Sequence, residues 1–344
     1  MTKGRILYLD LIRILACLMV ILMHSPVPGM NTPGFILTGI SFLAAPCIGL
    51  FFMVSGALLL PVRLPMKEYY NKRLSKVVWP TLIWTFVYIT INIIKGTITL
   101  KGLPRIVLSI PFSAQGNGIM WFMYTLIGLY LIAPIISPWL EKANRREIEF
   151  VLVLWIITLL YPVISFYISV NESHSGILYS FGGYSGYFLL GYYLRRFVNN
   201  TPLLLPLIMI TVPVACCGIA YYFGFDGDFY LVFWYLSIFV GVMAGGWFIL
   251  FKNLFNSYDE HKSNLIPTIS NLCFGVYLCH IIIIREILWK IDFITQMGDV
   301  ASIVTITFLT FVISLILTRS LAQLPFGSYI VGYQFNKQTN GFLG

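Results

Sequence analysis

Leu7-Tyr8-Leu9-Asp10-Leu11-Ile12-Arg13-Ile14-Leu15-Ala16-Cys17-Leu18-Met19-Val20-Ile21-Leu22-Met23-His24 is an apolar run in which only Asp10, Arg13 and His24 can carry charge. A helix rises about 1.5 Å per residue, so about 20 apolar residues cross the ~30 Å hydrocarbon core of a bilayer. Residues 6–24 meet that requirement. Lys3 and Arg5 ahead of the run resemble the start of a signal peptide. Asp10 and Arg13 interrupt the apolar region, however, and no small-residue cleavage site follows His24. The segment reads as a retained first span.

Working outward, the same test finds nine further stretches, over residues 35–60, 77–94, 119–136, 148–169, 177–194, 203–223, 229–251, 266–288 and 301–321. Residues 103–112 are apolar but too short to span, and read as an interfacial or re-entrant piece. Composition agrees. Hydrophobic residues make up 58% of the 344 and charged residues 10%, against about 25% charged in a soluble chain. The expected fold is an all-α, polytopic membrane protein of about ten transmembrane helices, forming a single membrane-embedded domain over residues 1–344.

Loop charge fixes the expected orientation through the positive-inside rule. With a cytoplasmic N-terminus, the inner segments hold 16 of the 22 Lys and Arg residues and the outer segments 5 (Lys95, Lys101, Arg105, Arg285 and Lys290), Arg13 lying within a span. Both termini are then cytoplasmic. The net charge of +9 follows from basic inner loops, and no basic run is long enough to argue for nucleic acid. The six cysteines lie in apolar runs without metal-site or disulfide-framework spacing, so no metal is expected. Nor is there a phosphate loop, a dinucleotide fingerprint or a zinc-binding helix motif.

A charge inside a span costs at least ~2.5–3.5 kcal/mol at a helix centre, and so points to function. Arg13 and His24 are eleven residues apart, ~16 Å along a helix axis with an angular offset of only ~20°. Asp10 sits one turn before Arg13 on that side, placed to pair with it. One polar stripe thus reaches from the inner boundary to the outer half of the membrane, although the pair could simply snorkel to the interface and His24 could cap the helix end. In the ninth span, His280 is ~21 Å along from Ile266, and Ser270, Tyr277 and His280 share a helical face. A hydrogen-bonded core role for His280 stands equally open. His174 and His261 fall in loops and carry no signal. The segment Lys67-Glu68-Tyr69-Tyr70-Asn71-Lys72-Arg73-Leu74-Ser75-Lys76 reads as a topology determinant or as a site for an anionic cytosolic ligand.

Taken together, these residues resemble the acyltransferase type 3 family of bacterial membrane proteins over nearly the whole chain. The most specific likeness is Leu9-Asp10-Leu11-Ile12-Arg13-Ile14-Leu15-Ala16 with the Arg13-to-His24 spacing. Further similar segments are Phe51-Phe52-Met53-Val54-Ser55-Gly56-Ala57-Leu58-Leu59, Arg73-Leu74-Ser75-Lys76-Val77-Val78-Trp79-Pro80, Trp121-Phe122-Met123-Tyr124 with Leu129-Tyr130-Leu131 and Pro134, Phe188-Leu189-Leu190-Gly191-Tyr192-Tyr193, and Tyr277-Leu278-Cys279-His280. The group it most resembles holds the enterobacterial common antigen O-acetyltransferase and the succinyl-transfer proteins of exopolysaccharide systems.

The resemblance implies transfer of an acyl group, usually acetyl, from cytosolic acyl-coenzyme A to a hydroxyl of a cell-envelope glycan or lipid-linked sugar. It implies a multi-pass protein of the bacterial inner membrane, with acetyl-CoA as donor substrate and no permanently bound cofactor. His24 and Arg13 match the family's histidine and arginine. Two departures stand out. Where the family has a second arginine this chain has Lys76, which lacks the bidentate grip of a guanidinium. The position two before Trp121, polar in relatives, is Ile119, which fits a different acceptor.

The expected roles are donor binding by Arg13, Arg73 and Lys76, catalysis by His24, and support from Asp10, Ser270 and His280. Asn117, Trp121 and Tyr277 are placed by position to donate to a tetrahedral oxyanion. His24 could act as general base or as the acylated nucleophile. Two rivals share the polytopic build: a transporter or flippase of lipid-linked sugars, for which intramembrane charges serve equally, and a silent sensor or scaffold. The sequence does not fix the oligomeric state.

Overall fold

The computed structural model describes residues 5–29, 34–114, 118–168, 176–224, 232–256 and 265–335. Among these there are helices and turns and no strand. The main helices are α1 (Leu7–His24), α2 (Gly34–Ala44), α3 (Pro46–Leu59), α4 (Ser75–Ile94), α5 (Trp121–Lys142), α6 (Arg145–Leu159), α7 (Ser185–Phe197), α8 (Leu204–Tyr222), α9 (Ile238–Phe255), α10 (Leu265–Ile282) and α11 (Asp299–Ala322). Nine helical segments among the described residues are long and apolar enough to cross a membrane. The chain is a polytopic helical membrane protein.

The stretch expected over 177–194 departs from the ten-span reading. It opens as a 3-10 turn at Tyr179–Phe181, and α7 proper has only 13 residues, about 20 Å of rise. Gly182 and Gly183, the latter at φ +81°, break the helix before Tyr184. A left-handed conformation there is open to glycine at little cost. The helix of the eighth expected span, α9, also starts later than expected, at Ile238, after Ser237 caps it by accepting from Val240 N at 3.3 Å. The second expected span is two helices, because Pro46 has no N–H to continue the ladder from α2. Residues 103–112 hold a seven-residue helix, Leu103–Ser109.

Short as it is, α7 joins the two faces of the bundle. Near its start, Trp155 Nε1 donates to Gly183 O at 2.9 Å. At its end, Arg195 donates to Ala57 O, and Lys252 Nζ donates to the carbonyls of Leu194, Arg195 and Val198 at 2.9, 2.8 and 2.6 Å. Its passage beside α3 is close because Gly56 and Gly191 carry no Cβ. A Cβ at Gly56 would run into the Phe188 backbone, and one at Gly191 into that of Met53.

Arg5 donates to Pro267 O (2.8 Å) and Asn271 Oδ1 (3.0 Å), and Trp84 Nε1 to Ile330 O (3.0 Å). The chain ahead of α1, the start of α10 and the turn after α11 therefore gather on one basic face with the ends of α3, α7 and α9. The opposite face carries the Glu286 cluster with Lys95 (2.7 Å) and Lys290 (2.9 Å).

This arrangement yields a topology test. A single cysteine at Asn200, just past α7, should be shielded from an impermeant maleimide added to sealed cells, and one at Ile177, which is 93% exposed, should react. Asp226–Asp228, expected outside from the loop charges, lie outside the described residues. Labelling of both sites from outside would mean that α7 does not cross.

Candidate active site

The site is built where α1 and α10 run parallel and side by side. Arg13 meets Ser270, Cys17 Sγ lies 3.8 Å from Cys273 O, and the rings of His24 and His280 sit 5.5 Å apart. The polar stripe of α1 therefore faces the polar face of α10.

Asp10 is buried and fixes the basic end of this seam. It accepts from Arg5 Nε at 2.5 Å, from Ser270 Oγ at 2.6 Å and from Arg13 Nη1 at 3.4 Å. Arg13 Nη1 also donates to Ser270 Oγ at 2.7 Å. The carboxylate thus holds two guanidinium groups and a hydroxyl. This is more than snorkelling, since Arg13 is turned inward onto another helix. Arg13 lines a cavity of about 220 Å³ with Ser55, Arg73, Lys76, Tyr130, Ser270 and Tyr277. Arg73 and Lys76 also line a second, open cavity of about 510 Å³ on the basic face, beside Asn71, Lys72 and Tyr329. Neither has an acidic partner among the described residues. Three cations consequently face one inner chamber, with Asp10 alone opposing them among the described residues.

His24 faces a different space. Together with Met23, Tyr88, Lys95, Trp121, Tyr235, Arg285 and Glu286 it lines an outer chamber of about 420 Å³. Tyr277 lines both chambers. Its hydroxyl donates to Ile119 O at 2.8 Å, and its ring lies 4.9 Å from Phe122, which stacks on Phe52 at 4.9 Å. Tyr277 and Phe122 form the partition between a basic inner chamber and the histidine chamber.

His280 is fully buried behind His24. Its Nδ1 lies 2.5 Å from Tyr277 O, a contact that makes Nδ1 the protonated nitrogen, because a carbonyl can only accept. Nε2 then carries the lone pair. That atom is buried without a hydrogen-bond partner among the described residues, and the His24 ring is its neighbour. The hydrogen-bonded core role is the one seen, since His280 is not among the residues lining either chamber.

Of the residues singled out from sequence, Arg13, Arg73, Lys76, Ser270 and Tyr277 meet around the inner chamber, and His24, Trp121 and Tyr277 around the outer one. Asp10 and His280 stand behind them, and Asn117 lies outside the described residues. Sequence reasoning missed Ser55, Tyr130, Tyr88, Tyr235 and Arg285. Ser55 and Tyr130 sat within quoted motifs without a role. Arg285 had been counted only as an outer-loop charge. It reaches the chamber from a π-helical turn, Ile283–Ile287, a feature found mostly at functional sites and invisible to periodicity.

A family model described as an acyltransferase domain matches residues 6–319. No curated protein and no solved structure matches the chain. The family match decides between the enzyme reading and the transporter and scaffold readings in favour of an acyltransferase.

The Asp10 network gives a stability prediction. Asp10→Ala leaves Arg13 and Ser270 without their shared acceptor and should cost on the order of 3 kcal/mol. Asp10→Asn, which keeps an acceptor for Ser270, should cost less. Thermal unfolding of the purified protein in one detergent would order the two, and equal midpoints for both variants and wild type would show that the network adds nothing.

Proposed function

We propose a donor, an acceptor and a mechanism for this chain, which belongs to the acyltransferase family whose model it matches over residues 6–319. The donor is cytosolic acyl-CoA, carrying acetyl as in the enterobacterial common antigen O-acetyltransferase-like group. The acceptor is a hydroxyl of a cell-envelope glycan or lipid-linked sugar, and the enzyme works in the bacterial inner membrane with both termini cytoplasmic. One observation carries this reading: three cations and His24 face two chambers that meet at Tyr277.

The phosphates of the donor need cations, and Arg73, Lys76 and Arg13 line the basic face and the inner chamber behind it. The thioester arm then passes Tyr277 to reach His24, ~16 Å further along α1 than Arg13. Neutral His24 takes the proton of the acceptor hydroxyl as that oxygen attacks the thioester carbonyl. The tetrahedral oxyanion collapses, the C–S bond breaks, and the imidazolium returns the proton to the departing thiolate. The buried His280 ring packs behind that of His24, 5.5 Å away, and holds the base in place from that side. Arg285, whose guanidinium lies over the Trp289 ring at 5.8 Å, brings positive charge to the chamber where the oxyanion forms.

His24→Gln preserves size and hydrogen bonding but cannot accept the proton. Its acyl transfer should fall by about 10²–10⁴-fold, as far as that of His24→Ala, with expression and monodispersity unchanged. The assay follows CoA release and the acyl mass shift on envelope glycan. Near-normal acylation by well-expressed His24→Gln protein would exclude the base role.

The donor side is tested separately. Each of Arg73→Ala and Lys76→Ala removes a charge-assisted hydrogen bond worth roughly 1.5–3 kcal/mol. Donor KM should rise about tenfold or more while acceptor KM stays nearly unchanged. Intact donor kinetics in the double variant would reduce the segment to a topology signal.

A further inference from the structure

A fourth cavity lies on the face opposite the basic one, against the far side of the His24 chamber. It measures about 570 Å³, within the roughly 300–1,000 Å³ range of small-ligand sites. The end of α6, the 3-10 turn ahead of α7 and the segment before α9 line it. Five aromatic rings contribute: Tyr161, Tyr179, Tyr184, Trp234 and Tyr235. Hydroxyls of Thr158 and Ser180 add polar points, and no Asp, Glu, Lys or Arg is among the described residues that line it.

This cleft adjoins the histidine chamber. Tyr235 lines both, with its hydroxyl 3.2 Å from Met23 Sδ, the residue beside His24. Trp121, on the chamber side, packs at 5.4 Å from Tyr184 and 5.7 Å from Tyr235 on the cleft side. A substrate that places a hydroxyl at His24 therefore has this cleft beside it, across a wall formed by Trp121, Tyr184 and Tyr235.

The chemistry of the lining selects the occupant. Aromatic rings offer faces to the C–H groups of pyranose rings, and phenol, indole and hydroxyl groups offer hydrogen bonds to their rims. A lining without charge gives no counter-ion to a phosphate or carboxylate, whereas the neighbouring chamber holds Lys95, Arg285 and Glu286. We infer that the Tyr161–Tyr179–Trp234 cleft is a subsite for uncharged pyranose units of the acceptor, next to the unit that is acylated. The inference rests on the glycan-acceptor reading above and names the part of the acceptor that this side of the enzyme grips.

The test separates binding from chemistry. Wild-type protein in nanodiscs is screened, without donor, against a panel of neutral hexose and N-acetylhexosamine oligosaccharides, with polygalacturonate as the anionic control. Quenching of tryptophan fluorescence reads occupancy. Saturable binding of a neutral oligosaccharide is expected, weakened roughly fivefold to tenfold in Tyr161→Ala and Tyr179→Ala. Tyr161→Phe and Tyr179→Phe keep the ring and should stay within about twofold of wild type. In turnover the same Ala variants should raise acceptor KM and leave donor KM unchanged. No saturable neutral-sugar binding, binding by the anionic control alone, competition by sugar-free phospholipid, or Ala variants equal to wild type would each overturn the inference. Failure of the His24 mechanism would appear instead as absent acyl transfer with this binding intact.

Discussion

A charge buried among apolar helices is tolerable only when it is paired and hydrogen-bonded, and Asp10 is the point at which this chain meets that demand. Its carboxylate takes Arg5, Arg13 and Ser270 at once, so α1 and α10 are locked at one height and in one rotation. Everything on the α1–α10 seam inherits that register. Once Arg13 is held beside Ser270, the eleven-residue step to His24 and the ten-residue step to His280 bring the two imidazoles to the same level, 5.5 Å apart. A network of one acid, two guanidinium groups and a hydroxyl near the basic face thereby sets the geometry of a pair of rings more than ten residues away.

The same register explains why the interior is divided. Tyr277 lies on α10 between Ser270 and His280, so it falls between the cationic end and the histidine end of the seam. Its hydroxyl is tied to Ile119 O and its ring to Phe122, which brings α5 in as the other half of the partition. For an enzyme proposed to take its donor from one side of a membrane and its acceptor from the other, such a partition keeps a water-filled path from running through. Only a slender chain, such as a thioester arm, needs to pass it.

Much of this was legible in the sequence because it depended on local or periodic signals. The apolar runs gave most of the helices, and the Asp10, Arg13 and His24 spacing put those residues on one face of α1, as found. The reading was weakest where a helix depends on neighbours. Residues 177–194 looked like a span by composition, but the glycine pair at 182–183 cuts the helix to thirteen residues. That shorter helix is anchored by Trp155, Ala57 and Lys252, which lie far away in sequence. Arg285 could not be assigned to the site because a π turn rotates it away from where an α-helical count puts it. Ser55, Tyr130 and Tyr235 reach the chambers only through the packing of α3, α5 and the segment before α9, which no spacing rule reports.

The histidine pair shows how little of a site's chemistry lies in the residue identities alone. Taken singly, His280 is a core side chain with one hydrogen bond, and His24 is a polar residue at a helix end. The bond from His280 Nδ1 to Tyr277 O sets the state of the first. It fixes the tautomer and leaves an unprotonated Nε2 in a buried position, with no hydrogen-bond partner among the described residues. A neutral imidazole that donates through one nitrogen must present its lone pair on the other. The backbone carbonyl of Tyr277 thus orients the His280 ring against which His24 packs. The side chain of the same residue forms the partition behind it. Tyr277 therefore connects the placement of the proposed base with the place where the donor arm would arrive, which is why the parallel seam of α1 and α10, rather than any single residue, is the unit on which the site is built.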